Sequence, residues 1–241
     1  MFLVSLIQKS ALLLGLTVFQ VQPQAAAPTP KAAPKVVAVK RVDSVLSQVQ
    51  RYFNATESLS GSFKQVSLKA RTGRKSQRSG QVRLMRPNLI RWDFRTPEPV
   101  HYVANNDDLW VYQPKDALAY RMSVGDSDLD QAIRFLAGGI NLKATFNAKL
   151  TERPEGLKLN GLTFIELLPK KPTSSYKKLV LGVEEKSGAV RFSMIIDPDG
   201  NQTRTTYENL NAKKLSKRVF EFSPPEGVHV QDLSKRGSGG R

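Results

Sequence analysis

Most of the chain between Gln81 and Tyr207 alternates apolar and polar side chains with a period of two. Successive side chains of a strand point to opposite faces, so such a chain must fold as strands with one apolar and one wet face. Val82 and Leu84 face one way, Gln81 and Arg83 the other, and Ile90, Trp92 and Phe94 alternate with Arg91 and Asp93. Leu179, Leu181 and Val183 lead through Lys186–Ser187–Gly188 into Val190, Phe192, Met194 and Ile196, the pattern of a hairpin. Asp197–Pro198–Asp199–Gly200 is a turn ahead of a strand through Thr203, Thr205 and Tyr207, and Asn105–Asn106–Asp107–Asp108 joins another pair. Together these segments predict an antiparallel meander.

Only two segments carry a helical period. Val42, Val45, Leu46, Val49, Tyr52 and Phe53 predict an amphipathic helix at 42–54, with Asp43 or Ser44 at its start. Leu129, Ala132, Ile133 and Leu136 predict a shorter one at 129–137, opened by Ser127 with Asp130 and stopped by Gly138–Gly139. A helix that short is not stable alone in water and must lie on an apolar surface. Two helices cannot cover so many one-sided strands unless the sheet curls around them. The expected fold class is therefore α+β, a strongly curved antiparallel sheet or half-barrel with helices in its mouth.

The ends of the chain read differently. Residues 1–21 have Lys9 as their only charge, and the apolar run 11–21 has the length of a secretory core, too short to span a bilayer by itself. With Ala25, Ala26 and Ala27 following, 1–27 is expected to be a signal peptide; an uncleaved anchor over 2–21 is the competing reading. Residues 28–41 mix Pro, Ala and Lys and are expected to be an extended linker, 42–233 one folded domain, and 234–241 a flexible basic tail. Of the 241 residues none is Cys, which excludes a disulfide scaffold, a Cys-ligated zinc and a thiol nucleophile. It also suits an oxidising compartment.

Catalytic signatures are missing. There is no G-x-S-x-G, P-loop, G-x-G-x-x-G or H-E-x-x-H, and the two histidines, His101 and His229, cannot build a multi-histidine metal cage. Neither enzyme, metal nor cofactor is expected. The formal charge of +16 concentrates near one loop, where Lys69, Arg71, Arg74, Lys75 and Arg78 form either a solvated hairpin or a docking surface for anionic headgroups or an acidic partner. Nucleic-acid binding would call for aromatic residues among the charges, and this loop has none. Arg86 is the odd residue. Period two puts it on the face of Val82 and Leu84, where five donors need acceptors such as the carbonyls at a helix end.

Four strings then resemble one family. Arg86–Pro87–Asn88–Leu89–Ile90–Arg91–Trp92 is similar to the R-P-N-x-x-x-W segment of the LolA lipoprotein carriers, and Ser62–Phe63–Lys64–Gln65 to their S-F-x-Q. Leu109–Trp110–Val111–Tyr112–Gln113–Pro114 resembles L-W-x-Y-x-P, and the string from Phe220 to Val228 resembles F-x-F-x-P-P-x-G-V. The matches occur in order over 42–232.

The resemblance implies an unclosed antiparallel half-barrel whose helices form a lid over a hydrophobic cavity. It also implies a periplasmic carrier that takes acylated lipoproteins from an inner-membrane ABC transporter and passes them to an outer-membrane lipoprotein receptor. That receptor shares the fold but needs a Cys at its mature terminus, which this chain lacks. On this reading the chain acts as a monomer, without nucleic acid. The family's cavity arginine maps onto Arg86, expected to latch the lid by bonding carbonyls near 135–138. The acyl-chain cavity is expected to be lined by Val82, Leu84, Ile90, Trp92, Phe94, Trp110 and Tyr112, with Ile133 and Leu136 on the lid. The parity of the 109–112 strand is ambiguous, because Leu109 and Val111 are apolar too. The other functional class is an envelope lipid-binding or sensing module of the same fold with no transfer role, and a third is an envelope hydrolase using paired carboxylates. Capture of a lipoprotein-releasing transporter would separate the first two.

Overall fold

A computed structural model describes residues 35–105, 108–124 and 141–234. The expected leader 1–27, the helix expected at 129–137 and the last residues of the basic tail lie outside them. The chain enters through helix α1 (Lys35–Ala55) and continues as β1 (Ser58–Leu68), β2 (Lys75–Met85), β3 (Leu89–Thr96), β4 (Val100–Asn105), β5 (Asp108–Gln113) and β6 (Leu118–Ser123). After the one-turn helix α2 (Leu142–Thr145) come β7 (Phe146–Thr151), β8 (Thr163–Pro169), β9 (Lys178–Val183), β10 (Val190–Ile196), β11 (Gln202–Ala212) and β12 (His229–Asp232).

The strands form one sheet in the order β12-β6-β5-β4-β3-β2-β1-β11-β10-β9-β8-β7. Every neighbouring pair is antiparallel except β12 with β6, and the order does not close on itself. Laid flat, twelve strands at about 4.8 Å spacing would be roughly 50 Å wide, far more than one helix can cover. The sheet instead curves, so that a single apolar cluster joins Val42, Val45, Leu46, Val49 and Phe53 of α1 to side chains from β1 to β11. Each such residue contributes about 1.5–3 kcal/mol by leaving water. Docking, more than intrinsic propensity, thus holds the helix. Two glycines permit the close fit. Gly188, at φ 81° in the β9–β10 turn, lies under α1, where a Cβ would stand 2.4 Å from the Gln48 carbonyl oxygen. Gly61 sits at the β1 bulge between Ser60 and Ser62, where a Cβ would approach the Leu210 Cα to 2.6 Å.

Two expectations need correction. Helix α1 starts at Lys35, so residues 35–41, expected as linker, are helical. This stretch has no Pro or Gly to stop a helix, and Lys, Arg and Ala favour one. Arg41 then ties the added turns to the sheet, its Nη2 donating to Glu185 Oε1 at 2.9 Å while the Thr163 hydroxyl donates to the same oxygen at 2.5 Å. Nor is the outer face simply wet. Phe164, Val180, Phe192 and Met194 pack there beneath Leu157, Leu159 and Leu162 of the β7–β8 connection. Met85 and Leu89 pack against Phe220.

Candidate functional site

The concave face is built by strand register. Val82 pairs with Trp92 and Leu84 with Ile90, while on the other side of β2 Gly61 meets Val82 and Phe63 meets Gly80. Val82, Leu84, Ile90, Trp92 and Phe94 therefore fall on one face, as the period predicts, and all are buried in the cluster under α1. Phe63 and Tyr207, absent from the expected set, belong with them. The Phe63 ring lies 4.4 Å from Trp92 and 5.1 Å from Phe94, and Tyr207 meets Trp92 edge-on at 6.2 Å. Phe63 was available from the S-F-x-Q string and Tyr207 from the Thr203–Thr205–Tyr207 alternation; neither signal alone says which face is concave.

Arg86 follows the end of β2 and reaches the end of α1. Its Nε donates to the Thr56 carbonyl at 3.0 Å and its Nη2 to the Asn54 carbonyl at 2.5 Å, while its backbone N–H donates to the Glu57 carbonyl at 3.0 Å. The last carbonyls of a helix lack partners within it. Here the Thr56 hydroxyl takes the Tyr52 carbonyl at 2.8 Å, and Arg86 takes the next acceptors along. The cation also sits at the negative end of the helix dipole. The expected kind of partner is present, but on the first helix: residues 135–138, and with them Ile133 and Leu136, lie outside the described residues. Asn88, at φ 57°, makes the tight turn that brings β3 back beside Arg86, which accounts for the Asn of the R-P-N string.

Trp110 and Tyr112 do not join the concave set. Leu109 and Val111 are the buried pair that faces the cluster, and Trp110 and Tyr112 point to the outer face. The rings there are covered by the C-terminal segment, with Phe222 5.5 Å from Trp110 and 5.4 Å from Tyr112. Both faces of β5 meet apolar partners, so polarity could not fix its parity. The F-x-F-x-P-P-x-G-V string is thereby explained as a strap. Phe220 plugs the Met85–Leu89 cluster, Phe222 caps the β5 aromatics, and the chain then runs on to pair β12 with β6.

Beneath the strap, Asp93 gathers three partners on the outer face. Arg83 Nη1 donates to it at 2.6 Å, Arg91 Nε at 3.0 Å and His101 Nδ1 at 2.7 Å, and Arg91 also donates to the Val219 carbonyl at 3.1 Å. Burial alone would push the Asp93 carboxyl up, but the His101 hydrogen bond and the Arg91 charge outweigh it and hold the carboxyl below its ordinary range. His101 is thus a structural partner of a buried carboxylate.

The basic loop is the β1–β2 hairpin, closed by Lys69 N–H to Arg74 carbonyl at 2.9 Å. Lys69, Arg71, Arg74 and Lys75 are exposed at its tip. Arg78 differs: its guanidinium lies over the Phe94 ring at 4.0 Å, at the border of the concave cluster. At the opposite border a groove of about 400 Å³ opens between α1 and the edge strand β7, floored by Val42, Leu46, Phe146 and Ala148 and rimmed by Lys143, Lys149 and Lys170.

Comparison with known proteins gives the family and the fold. The family model described as outer membrane lipoprotein carrier protein LolA matches residues 54–223. An outer-membrane lipoprotein carrier protein of Neisseria meningitidis serogroup C is 28% identical over 185 residues, covering 76% of this chain and 84% of its own. A protein of the same description from Methylococcus capsulatus is 28% identical over 187 residues, covering 76% and 86%. Among solved structures, an uncharacterized conserved protein from Thermus thermophilus shares the fold with a TM-score of 0.50 at 10% identity, covering 79% of this chain and 98% of that one.

Proposed function

The chain belongs to the LolA family of outer-membrane lipoprotein carriers, and on that premise we propose that it binds the acyl chains of lipoproteins leaving the inner membrane and delivers them to an outer-membrane receptor. The donor would be a lipoprotein-releasing ABC transporter, the compartment the periplasm, reached through the leader 1–27. Each acyl CH₂ held out of water is worth about 0.8 kcal/mol, so a carrier must bury its cargo's chains while leaving the protein moiety outside. Binding and release, not bond chemistry, are the work.

The observation that carries this reading is the continuous apolar concave face, including Val82, Leu84, Ile90, Trp92 and Phe94, lying under a helix that packs on it mainly through an apolar stripe. Acyl chains can displace such a helix, because the face then trades one apolar cover for another. Arg86 would act as the latch that restores the closed arrangement after release, through its bonds at the end of α1. The groove beside β7 offers the chains a way in along the helix, and the exposed hairpin tip with Lys69, Arg71, Arg74 and Lys75 a surface for docking.

The test is displacement of a fluorescent hydrophobic probe. The purified protein should bind the probe, and a triacylated peptide should release it at one peptide per chain, whereas the same peptide without acyl groups should not. Failure of the triacylated peptide to compete would refute the proposal.

A further inference from the structure

Trp92 presents a chemical anomaly at the centre of the concave face. It is 1% exposed, and its ring is packed among Phe63, Phe94 and Tyr207. Yet its indole Nε1–H is buried without a hydrogen-bond partner, the only side-chain nitrogen or oxygen in that condition among the described residues. Buried donors are nearly always paired, and an orphan is a standing cost to the folded state. Packing does not require it: Phe63 and Phe94 are apolar rings on the same face, with no donor to satisfy. The hydroxyl of Tyr207, the polar ring against Trp92, is already engaged with the Ser193 hydroxyl at 2.9 Å.

We propose that the Trp92 Nε1–H is a donor reserved for cargo, one that hydrogen-bonds an ester carbonyl of the acylated cysteine's lipid when acyl chains occupy the concave face. The proposal rests on the carrier reading and adds a selectivity to it. An acyl tail is hydrocarbon and offers no acceptor; the carbonyl oxygen of its ester is the strong acceptor that must enter an apolar site with the chain, the alkoxy oxygen beside it being a much weaker one. An orphan donor in that site meets the need without breaking the Ser193–Tyr207 bond. Trp92 pairs with Val82 on one side and Tyr102 on the other, in the middle of β3, so the carbonyl would sit well inside the face with hydrocarbon beyond it. A site built around such a bond discriminates against a ligand that offers only the weaker ether oxygen, because the donor is then poorly paired. An ester-linked lipid is thereby preferred over an ether-linked one of equal length.

The experiment compares a dipalmitoylglyceryl-cysteine peptide with its dialkyl-ether analogue, binding each to wild type, to Trp92→Phe and to a site-specific Trp92→benzothienylalanine variant. The last keeps the bicyclic shape and replaces N–H by sulfur, so it remains informative if the smaller phenyl ring perturbs folding. Wild type should prefer the ester about five- to tenfold. The benzothienyl variant should lose that preference while binding the ether as wild type does, and thermal unfolding should show it at least as stable when empty. Equal losses for ester and ether, or an ester preference that survives without the N–H, would overturn the proposal while leaving the carrier reading intact. Failure of wild type to bind either lipid would overturn both.

Discussion

Arg86 joins the end of one element to the end of another, and its position defines what it can control. Its two carbonyl acceptors lie where α1 turns into β1, so it holds the helix where the chain passes into the sheet. Charge-assisted bonds contribute about 1.5–3 kcal/mol each, enough to bias closed against open by tenfold or more. Arg86→Leu should therefore still load lipoprotein but pass it poorly to a receptor, and Arg86→Lys should recover only part of the transfer, since a point charge cannot span both carbonyls as a planar fork does. Transfer from preloaded protein, set against loading, separates these; equal transfer by all three would reduce Arg86 to a turn residue. Asp93 makes a different prediction. Its carboxyl is held below the ordinary range, so the folded state gains stability above the unfolded-state value and loses it as pH falls through the folded-state value. Asp93→Asn should cost about 1–3 kcal/mol at neutral pH by leaving the part-buried Arg83 and Arg91 without their counter-charge. The gap to wild type should narrow in urea titrations as pH drops through the carboxylate range; a constant gap would show that charge is not what Asp93 supplies. At this scale the sequence was most legible where a strand has one dry face. Val82, Trp92 and Phe94 could be placed by parity, whereas Trp110 and Tyr112 could not, because the partner covering them lies more than a hundred residues away in the strap.

Elements that cover the sheet were harder to read than the sheet itself. Alternation marks a strand locally, but nothing local in residues 220–232 says that they will cross back over the outer face. Their Pro-rich composition instead reads as a loop, and only the packed Phe220 and Phe222 show a strap. The start of α1 was missed for a related reason: its first turns continue a Pro-, Ala- and Lys-rich stretch that reads as linker, and the tie of Arg41 to Glu185 in the β9–β10 turn is long-range. If the strap is structural, Phe220→Ala should lower unfolding stability by about 3–5 kcal/mol, the range for a fully buried aromatic, and the same change at the less deeply buried Phe222 should cost less. Urea unfolding of both variants measures this. A Phe220 variant as stable as wild type would mean that the strap merely rests on the sheet.

At the scale of the whole molecule the design is a division between two faces. The outer face packs its apolar residues under the strap on one side and the β7–β8 connection on the other. The concave face is covered, among the described residues, by a helix held through apolar packing and a few polar ties at its ends. That asymmetry is what a carrier needs, since one apolar surface must stay closed and the other must exchange its cover for cargo. Curvature was legible from the shortage of helix relative to strand; the identity of the helix that Arg86 holds was not, because hydrogen bonds to backbone carbonyls leave no mark on side-chain identity. The central claim is that the concave face carries acyl chains across the periplasm, and native mass spectrometry of the protein recovered from its host's periplasm addresses it most directly. The account predicts a mature chain that begins between Ala26 and Pro30, part of it bound one-to-one to a protein with an acylated N-terminal cysteine. A chain retained in the membrane with Met1 intact, or one recovered from the periplasm with no acylated protein bound, would contradict it.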